Sequence, residues 1–296
     1  MLHRFLLHND DIRESGERGL APGQIGLLSG WGVFSTLRVY DGVMFAFERH
    51  WQRMRSDAAR MRVPFPAQAD WLESRLYRLI EANQISPSQL LNATLRVAVV
   101  RNRGGLFEGP GITRDFDVVA FTVDVVRWPR SVKLGVVADG RHAANEFSGT
   151  KYISWAENLT RYERAHEQGL DEVILLNERG EISECTSANV FVVDAAERVW
   201  TPPLSSGCLA GITRAVLLEE MQDVDIAIGE KTLFPDDLKS AREIFITSTT
   251  RELLPATAIE GVEIQGERAV CDRLREAFPA RVKHSVSRHP KPVYNY

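Results

Sequence analysis

The sequence predicts an α+β fold in two lobes. Two observations predict the class and a third the division. Segments with apolar residues at helical spacing are interspersed with runs rich in β-branched and aromatic residues. The two kinds do not follow the strict βαβ alternation of a doubly wound parallel sheet. Near residues 126–133 the stretch "VRWPRSVK" reads as a connector, dividing the 296-residue chain into a small N-terminal domain, 1–126, and a larger domain, 127–296.

Each element has its own signal. "VFSTLRVY" (33–40) alternates and is rich in β-branched residues, which predicts a strand. Asp41-Gly42 marks a tight hairpin into "VMFAF". Through "ERHWQRMRSDAARM", Phe47, Trp51, Met54 and Ala58 fall at helical spacing. "ADWLESRLYRLIEAN" predicts a second amphipathic helix with Trp71, Leu72, Leu76, Leu79 and Ile80 on its apolar side. "LLNATLRVAVVRN" and "FDVVAFTVDVV" read as long strands around an exposed, glycine-rich loop, "RNRGGLFEGPG". The second lobe opens with the strand "VKLGVVA"; a helix with Trp155, Leu159 and Tyr162 on one face is expected after "NEFSGTKYIS". "DEVILLNERGEISE" predicts strand, turn and returning strand, and "SANVFVVD" and "RVWTPP" add β structure. "AGITRAVLLEEMQ" enters a helix just past Gly211, "REIFITSTTRELLPA" is a buried strand ending in hydroxyls, and "DRLREAFPARVKH" is the last helix.

Composition narrows the function classes. A formal charge of −4 offers no polycation for a nucleic acid or an anionic membrane. Three cysteines, Cys185, Cys208 and Cys271, make neither a disulfide framework nor a zinc pair. No apolar run approaches the roughly 20 residues of a membrane span, and "MLHRFLLHNDDIRE" does not read as a signal peptide. The expected location is the cytoplasm.

The chemistry concentrates in "NEFSGTKYISWAEN" (145–158). Ser148 and Lys151 form S-x-x-K, but the S-D-N and K-T-G partners of penicillin-recognising enzymes are missing. Lys151 could instead form a Schiff base with a carbonyl cofactor. A phosphate-bearing cofactor needs an anion site, and the helix entry at Gly211, Ile212 and Thr213 could supply one. Ser248 and Thr249 offer further donors, and Arg53 a counter-charge. Taken singly, Thr213 could equally be a helix cap and the two hydroxyls strand-edge residues.

Several segments together resemble the fold-type-IV enzymes that use pyridoxal 5′-phosphate: branched-chain aminotransferases, D-amino-acid aminotransferases and aminodeoxychorismate lyases. "GVFSTLRVYDG" resembles their first strand and turn. "ERHWQRMRSDA" resembles a helix with His50, Arg53 and Ser56 in place and Met54 where leucine is usual. "KYISWAENLTRYERAHEQGLDEVILLNERGEISECTSANVFVV" resembles the central signature, "TPPLSSGCLAGITRAVLLE" the phosphate-site helix, and "FITSTTRELLPATAIEGVEI" the final motif. The resemblance implies a two-lobed α+β enzyme working as a homodimer. It implies Lys151 as Schiff-base lysine and Glu184 facing the pyridine nitrogen. Arg53, Ile212, Thr213, Ser248 and Thr249 would hold the phosphate. A carboxylate beside the ring nitrogen favours its protonated form, which makes the ring an electron sink.

The implied reaction is transfer of an amino group between an amino acid, branched-chain-like, and a 2-keto acid. The alternatives are a lyase eliminating pyruvate from aminodeoxychorismate and a non-catalytic binding module of the same fold. Substrate-side motifs are mixed. Ala156 stands where branched-chain enzymes usually have tyrosine, and Phe34-Ser35-Thr36 replaces their Phe-Glu-Gly. Phe34, Thr36, Trp155 and Thr250 are expected near the substrate. Arg38, Arg101 and Arg103 are candidates for its carboxylate, or else solvated or structural charges. The tail "VKHSVSRHPKPVYNY" is expected to dock on the surface.

Overall fold

A computed structural model of the chain describes residues 1–17, 25–86, 89–104, 112–221, 224–264, 266 and 268–288. Most of the predicted glycine-rich loop and the end of the tail lie outside these residues. The chain forms two compact units. One comprises Met1–Val126 with Thr150–Trp155 and the chain from Lys283; the other comprises Arg127–Gly149 and Ala156–Val282.

The first unit contains β1 (Leu2–His8), β2 (Asp11–Glu14), α1 (Ile25–Ser29), β3 (Gly32–Tyr40), β4 (Val43–Met44), α2 (Phe47–Arg60), α3 (Ala69–Ala82), β5 (Ala93–Arg101) and β6 (Phe116–Val123). Its strands form one antiparallel sheet in the order β2-β1-β6-β5-β3-β4. Alternation decides what each face does. Val33, Leu37 and Val39 of β3 point to the core with Leu95, Val97 and Val99 of β5. Phe47, Met54 and Ala58 of α2 and Leu72, Leu76, Leu79 and Ile80 of α3 cover that face. Apart from Ala58, each such side chain contributes roughly 1.5–3 kcal/mol on burial. The opposite face carries Phe34, Thr36 and Arg38, with Arg96 beside Thr36. Asp41 (φ 47°) and Gly42 (φ 79°) make the two-residue turn that the sequence predicts.

The second unit contains β7 (Val132–Val137), α4 (Ala156–Glu167), β8 (Glu172–Leu176), β9 (Ile182–Cys185), β10 (Asn189–Val193), β11 (Val199–Thr201), α5 (Ile212–Glu220), β12 (Ile228–Glu230), α6 (Pro235–Lys239), β13 (Glu243–Ser248), β14 (Glu252–Ile259), β15 (Val262–Glu263) and α7 (Ala269–Arg288), which runs on past Val282. Its mixed sheet runs β12-β11-β10-β13-β14-β7-β8-β9, with β15 beside β14. The pairs β11–β12, β14–β7 and β7–β8 are parallel. β8, β10 and most of β13 are buried on both faces and read as continuous apolar runs. Phe191 and Phe245 stack across β10 and β13, with ring centroids 5.0 Å apart.

Two expectations change, and one element is added. α4 begins after Trp155, Leu159 is exposed and Ala165 alone of its residues is buried, so the predicted apolar face does not enter the core of this unit. α7 continues through Pro279 to Arg288, taking up the first half of the predicted polar tail. The N-terminal hairpin β1–β2 was not legible in the sequence.

Candidate active site

In the first unit, β4 covers only the end of β3 near Tyr40. The other end of that edge takes the segment 151–153. The Phe34 N–H donates to the Lys151 carbonyl at 3.0 Å and the Ile153 N–H to the Gly32 carbonyl at 3.0 Å, around the bridge Val33–Tyr152. Gly32 is needed here, because a Cβ would stand 2.6 Å from the Val99 carbonyl and 3.0 Å from Ile153 Cδ1. Antiparallel register sets Lys151 opposite Phe34, and opposed residues share a face. Lys151 Nζ accordingly lies 4.7 Å from the Phe34 ring centroid and 5.7 Å from that of Trp155. The two rings meet edge-on at 5.9 Å.

Arg96 reaches the same rings. Its guanidinium lies 4.0 Å from the Phe34 centroid and 5.9 Å from that of Trp155. Burial pushes its pKa down, and among the described residues no carboxylate lies within ion-pair distance. Thr36 is its partly buried strand neighbour.

Arg53 stands on α2. Its terminal nitrogen donates to Ser35 Oγ at 2.8 Å, and Ser35 Oγ lies 2.7 Å from His50 Nδ1 in a second hydrogen bond. Burial, then the charges of Arg53 and Lys151, hold His50 well below its ordinary pKa, so it is neutral. Burial lowers Arg53 to about 10, against the pull of Asp57, which leaves it charged at neutral pH. Asp57 Oδ2 accepts the Lys151 N–H at 3.2 Å. Ser56, expected as part of this helix motif, is exposed; Asp57 is the buried residue here.

The expected substrate arginines are occupied elsewhere. Arg38 is buried, donates to the Ala93 carbonyl at 3.0 Å and stacks on Tyr40. Arg101 donates to the carbonyls of Arg103 and Arg62 and stacks on Trp31. Arg103 is exposed, donates to the Ile112 carbonyl at 2.7 Å and lies 3.5 Å from Asp115. All three donate to backbone carbonyls, the structural alternative that the sequence left open for them. Sequence reasoning missed Arg96; its signal was its place on the Phe34 face in the β3–β5 register.

In the second unit, Glu184 ends a chain of fixed donors. Arg141 Nε donates to Oε1 at 2.9 Å and the Leu209 N–H to Oε2 at 3.0 Å. Arg141 also donates to Asn158, whose amide donates to the Thr186 carbonyl at 2.7 Å. The Leu209 carbonyl accepts from Asn189 Nδ2 at 2.9 Å. Gly211 caps α5 with φ −67° and ψ 140°, ordinary angles for any residue, yet a Cβ would meet Asn189 Oδ1 at 2.0 Å. Ile212 and Thr213 follow, both buried, in the first turn, where N–H groups have no intrahelical acceptor. Ser248, Thr249 and Thr250 sit at the β13–β14 turn, and Ser248 Oγ accepts the Arg251 N–H at 3.2 Å. Arg251, also missed, donates to Ser187 at 2.9 Å, lies 3.4 Å from the fully buried Glu172 and stacks on Trp128.

These residues fit pyridoxal 5′-phosphate. In the second unit, first-turn amides beside a glycine that clears space suit a dianionic phosphate; in the first, so does a partly buried arginine. A protonated ring nitrogen suits an anchored carboxylate, and an aldehyde suits a lysine.

Comparison with known proteins agrees. The amino-transferase class IV family model matches residues 32–259. A D-alanine aminotransferase of Bacillus licheniformis is 29% identical over 263 residues, covering 88% of this chain and 89% of that protein. A branched-chain-amino-acid aminotransferase of Salmonella typhimurium is 29% identical over 266 residues, 84% of this chain and 83% of its own. Among solved structures, the branched-chain amino acid aminotransferase from Escherichia coli superposes with a TM-score of 0.84 at 25% identity, covering 95% of this chain and 94% of that one. The chain therefore belongs to the class IV amino-transferase family, whose members depend on pyridoxal 5′-phosphate.

Proposed function

We propose that the protein transfers the amino group of an amino acid to a 2-keto acid, with Lys151 as the residue that links covalently to pyridoxal 5′-phosphate and moves the reacting proton. The observation that carries this reading is the register that puts Lys151 Nζ on the Phe34 face, 4.7 Å from the ring. When bound, the cofactor supplies an electron sink for the pair left at the substrate Cα. Lys151 Nζ would take the proton from the Cα of the amino donor in one half of the cycle and give a proton to the corresponding carbon of the keto acid in the other. Glu184, held by Arg141 and the Leu209 N–H, keeps a proton on the ring nitrogen. Arg53 and the α5 amides bind the phosphate, with Ser248 and Thr249 as further donors and Ser35 orienting Arg53.

Arg96 is the group we assign to the substrate carboxylate. It is a partly buried cation with aromatic neighbours and no carboxylate partner among the described residues. Phe34 and Trp155 supply apolar surface, which favours an apolar amino acid, as do relatives named for D-alanine and branched-chain substrates. No observation favours the lyase over the transaminase. A homodimer is inferred from the family resemblance and a cytoplasmic location from the composition of the sequence; the three cysteines are buried and free, and among the described residues no helix is long and apolar enough to cross a membrane.

Borohydride reduction of the cofactor-loaded enzyme followed by peptide mapping should place the adduct on Lys151. Lys151→Ala should lose both adduct and turnover; full transaminase activity in that variant would overturn the reading. A panel of amino donors of both hands with 2-oxoglutarate, run beside aminodeoxychorismate, identifies the substrate and separates transfer from elimination.

A further inference from the structure

The peptide carrying Lys151 is held from two sides. On one side is β3, through the Phe34 and Ile153 amides. On the other is α2. In an antiparallel ladder, residues that face each other as a hydrogen-bonded pair exchange both N–H···O bonds. Phe34 gives its N–H to Lys151, but Lys151 directs its own N–H to Asp57 Oδ2 at 3.2 Å. Asp57 is 5% exposed, and the charged groups around it are all cations: Arg53 and Arg60 from its own helix and Lys151. Asp57 follows Arg53 by four residues, so the two share a helix face, displaced by about 6 Å along the axis.

We propose that Asp57 is a positioning residue for Lys151, and that α2 acts as a ruler. One rigid turn carries the phosphate-binding arginine at one end and the anchor of the lysine peptide at the other. The spacing between the two points at which the cofactor is gripped is then set by helix geometry rather than by the loop leading to Lys151. Asp57 also protects the register: a slip of one residue would turn the lysine to the opposite face of the sheet. The inference rests on the assignment of Lys151 and Arg53 to the cofactor.

The test compares Asp57→Leu, which keeps the shape and loses the acceptor, with Asp57→Asn, which keeps an acceptor and loses the charge. Amide hydrogen exchange of the peptide spanning 150–155 is measured on the cofactor-loaded protein, with kcat and KM for the amino donor. Asp57→Leu should speed exchange in that peptide about tenfold or more while the α3 peptides stay unchanged. It should lower kcat about tenfold with KM within about twofold. Asp57→Asn should recover most of both. Unchanged exchange in Asp57→Leu, or an Asp57→Asn variant as impaired as Asp57→Leu, overturns the proposal. If Asp57→Leu does not fold, the wild-type protein decides: protection of the Lys151 amide supports the anchor, and exchange at the free-chain rate refutes it. Borohydride mapping on the wild type is scored separately. An adduct elsewhere than Lys151 would defeat the functional reading while leaving the exchange result to stand as structure alone.

Discussion

Gly211→Ala isolates a steric effect, because its backbone angles suit alanine. The added Cβ would stand 2.0 Å from Asn189 Oδ1, where ordinary contact begins at 3.4 Å, so the amide must retreat by about 1.4 Å. That retreat breaks the 2.9 Å bond from Asn189 Nδ2 to the Leu209 carbonyl. Losing the partner of a buried polar group costs about 1–3 kcal/mol. At about 2 kcal/mol the melting temperature falls by about 3 °C for a protein of this size. The same movement disturbs Leu209, whose N–H holds Glu184, and displaces the first amides of α5. The dissociation constant for pyridoxal 5′-phosphate should therefore rise about tenfold or more. Thermal denaturation and a spectroscopic cofactor titration measure both effects. The control is the double variant with Asn189→Ala, which removes the obstructing amide. If Gly211→Ala destabilises as much in that background as in the wild type, the steric reasoning is refuted.

Two further outcomes follow from the first unit. His50 is held neutral in the folded state, so below pH of about 6.5 the unfolded chain takes up a proton that the folded one refuses. Stability should be fully present above that pH and fall by about 1.4 kcal/mol at a pH of about 5.5; denaturant titrations of His50→Asn should lose this part of the slope, and an unchanged slope would count against a buried neutral histidine. Arg96→Met should lower kcat/KM for amino acids about 10–100-fold, the worth of a charged hydrogen bond, while leaving amines that lack a carboxylate within about twofold; an equal loss for both would remove Arg96 from carboxylate binding.

The local signals in the sequence carried far. Lys151, Glu184 and Gly211 lie in long segments whose residue order is itself distinctive, and α2 and α3 keep a clean helical period. What remained illegible depends on distance along the chain. Asp57 meets Lys151 across 94 residues and Arg141 meets Glu184 across 43, so no window shows either pair. Arg96 looks like any outward strand residue until the register with Thr36 is known. For Arg38, Arg101 and Arg103 the sequence leaves open a substrate or a structural role, because an arginine's partners are invisible in one dimension; each donates to a backbone carbonyl. In β1 only Leu7 is buried, so the strand lacks a full apolar alternation. The predicted face of α4 fails at Leu159, which helical spacing puts with Tyr162 but which is left exposed.

The seat of Lys151 on the edge of β3 also bears on how such a chain can vary. The loop that precedes the lysine, from Ala138 to Gly149, does not determine where the lysine points; the pairing with Gly32 and Phe34 does. Slack upstream can be taken up only where Arg141 still reaches Glu184 and the Ala143 and Ala144 amides still reach Glu178. Between Lys151 and Trp155 there is no such freedom, because one insertion would reverse the faces of everything after it. Length change should therefore act through lost contacts on one side of Lys151 and through reversed faces on the other, a polarity that insertion scanning on either side of position 151 would reveal.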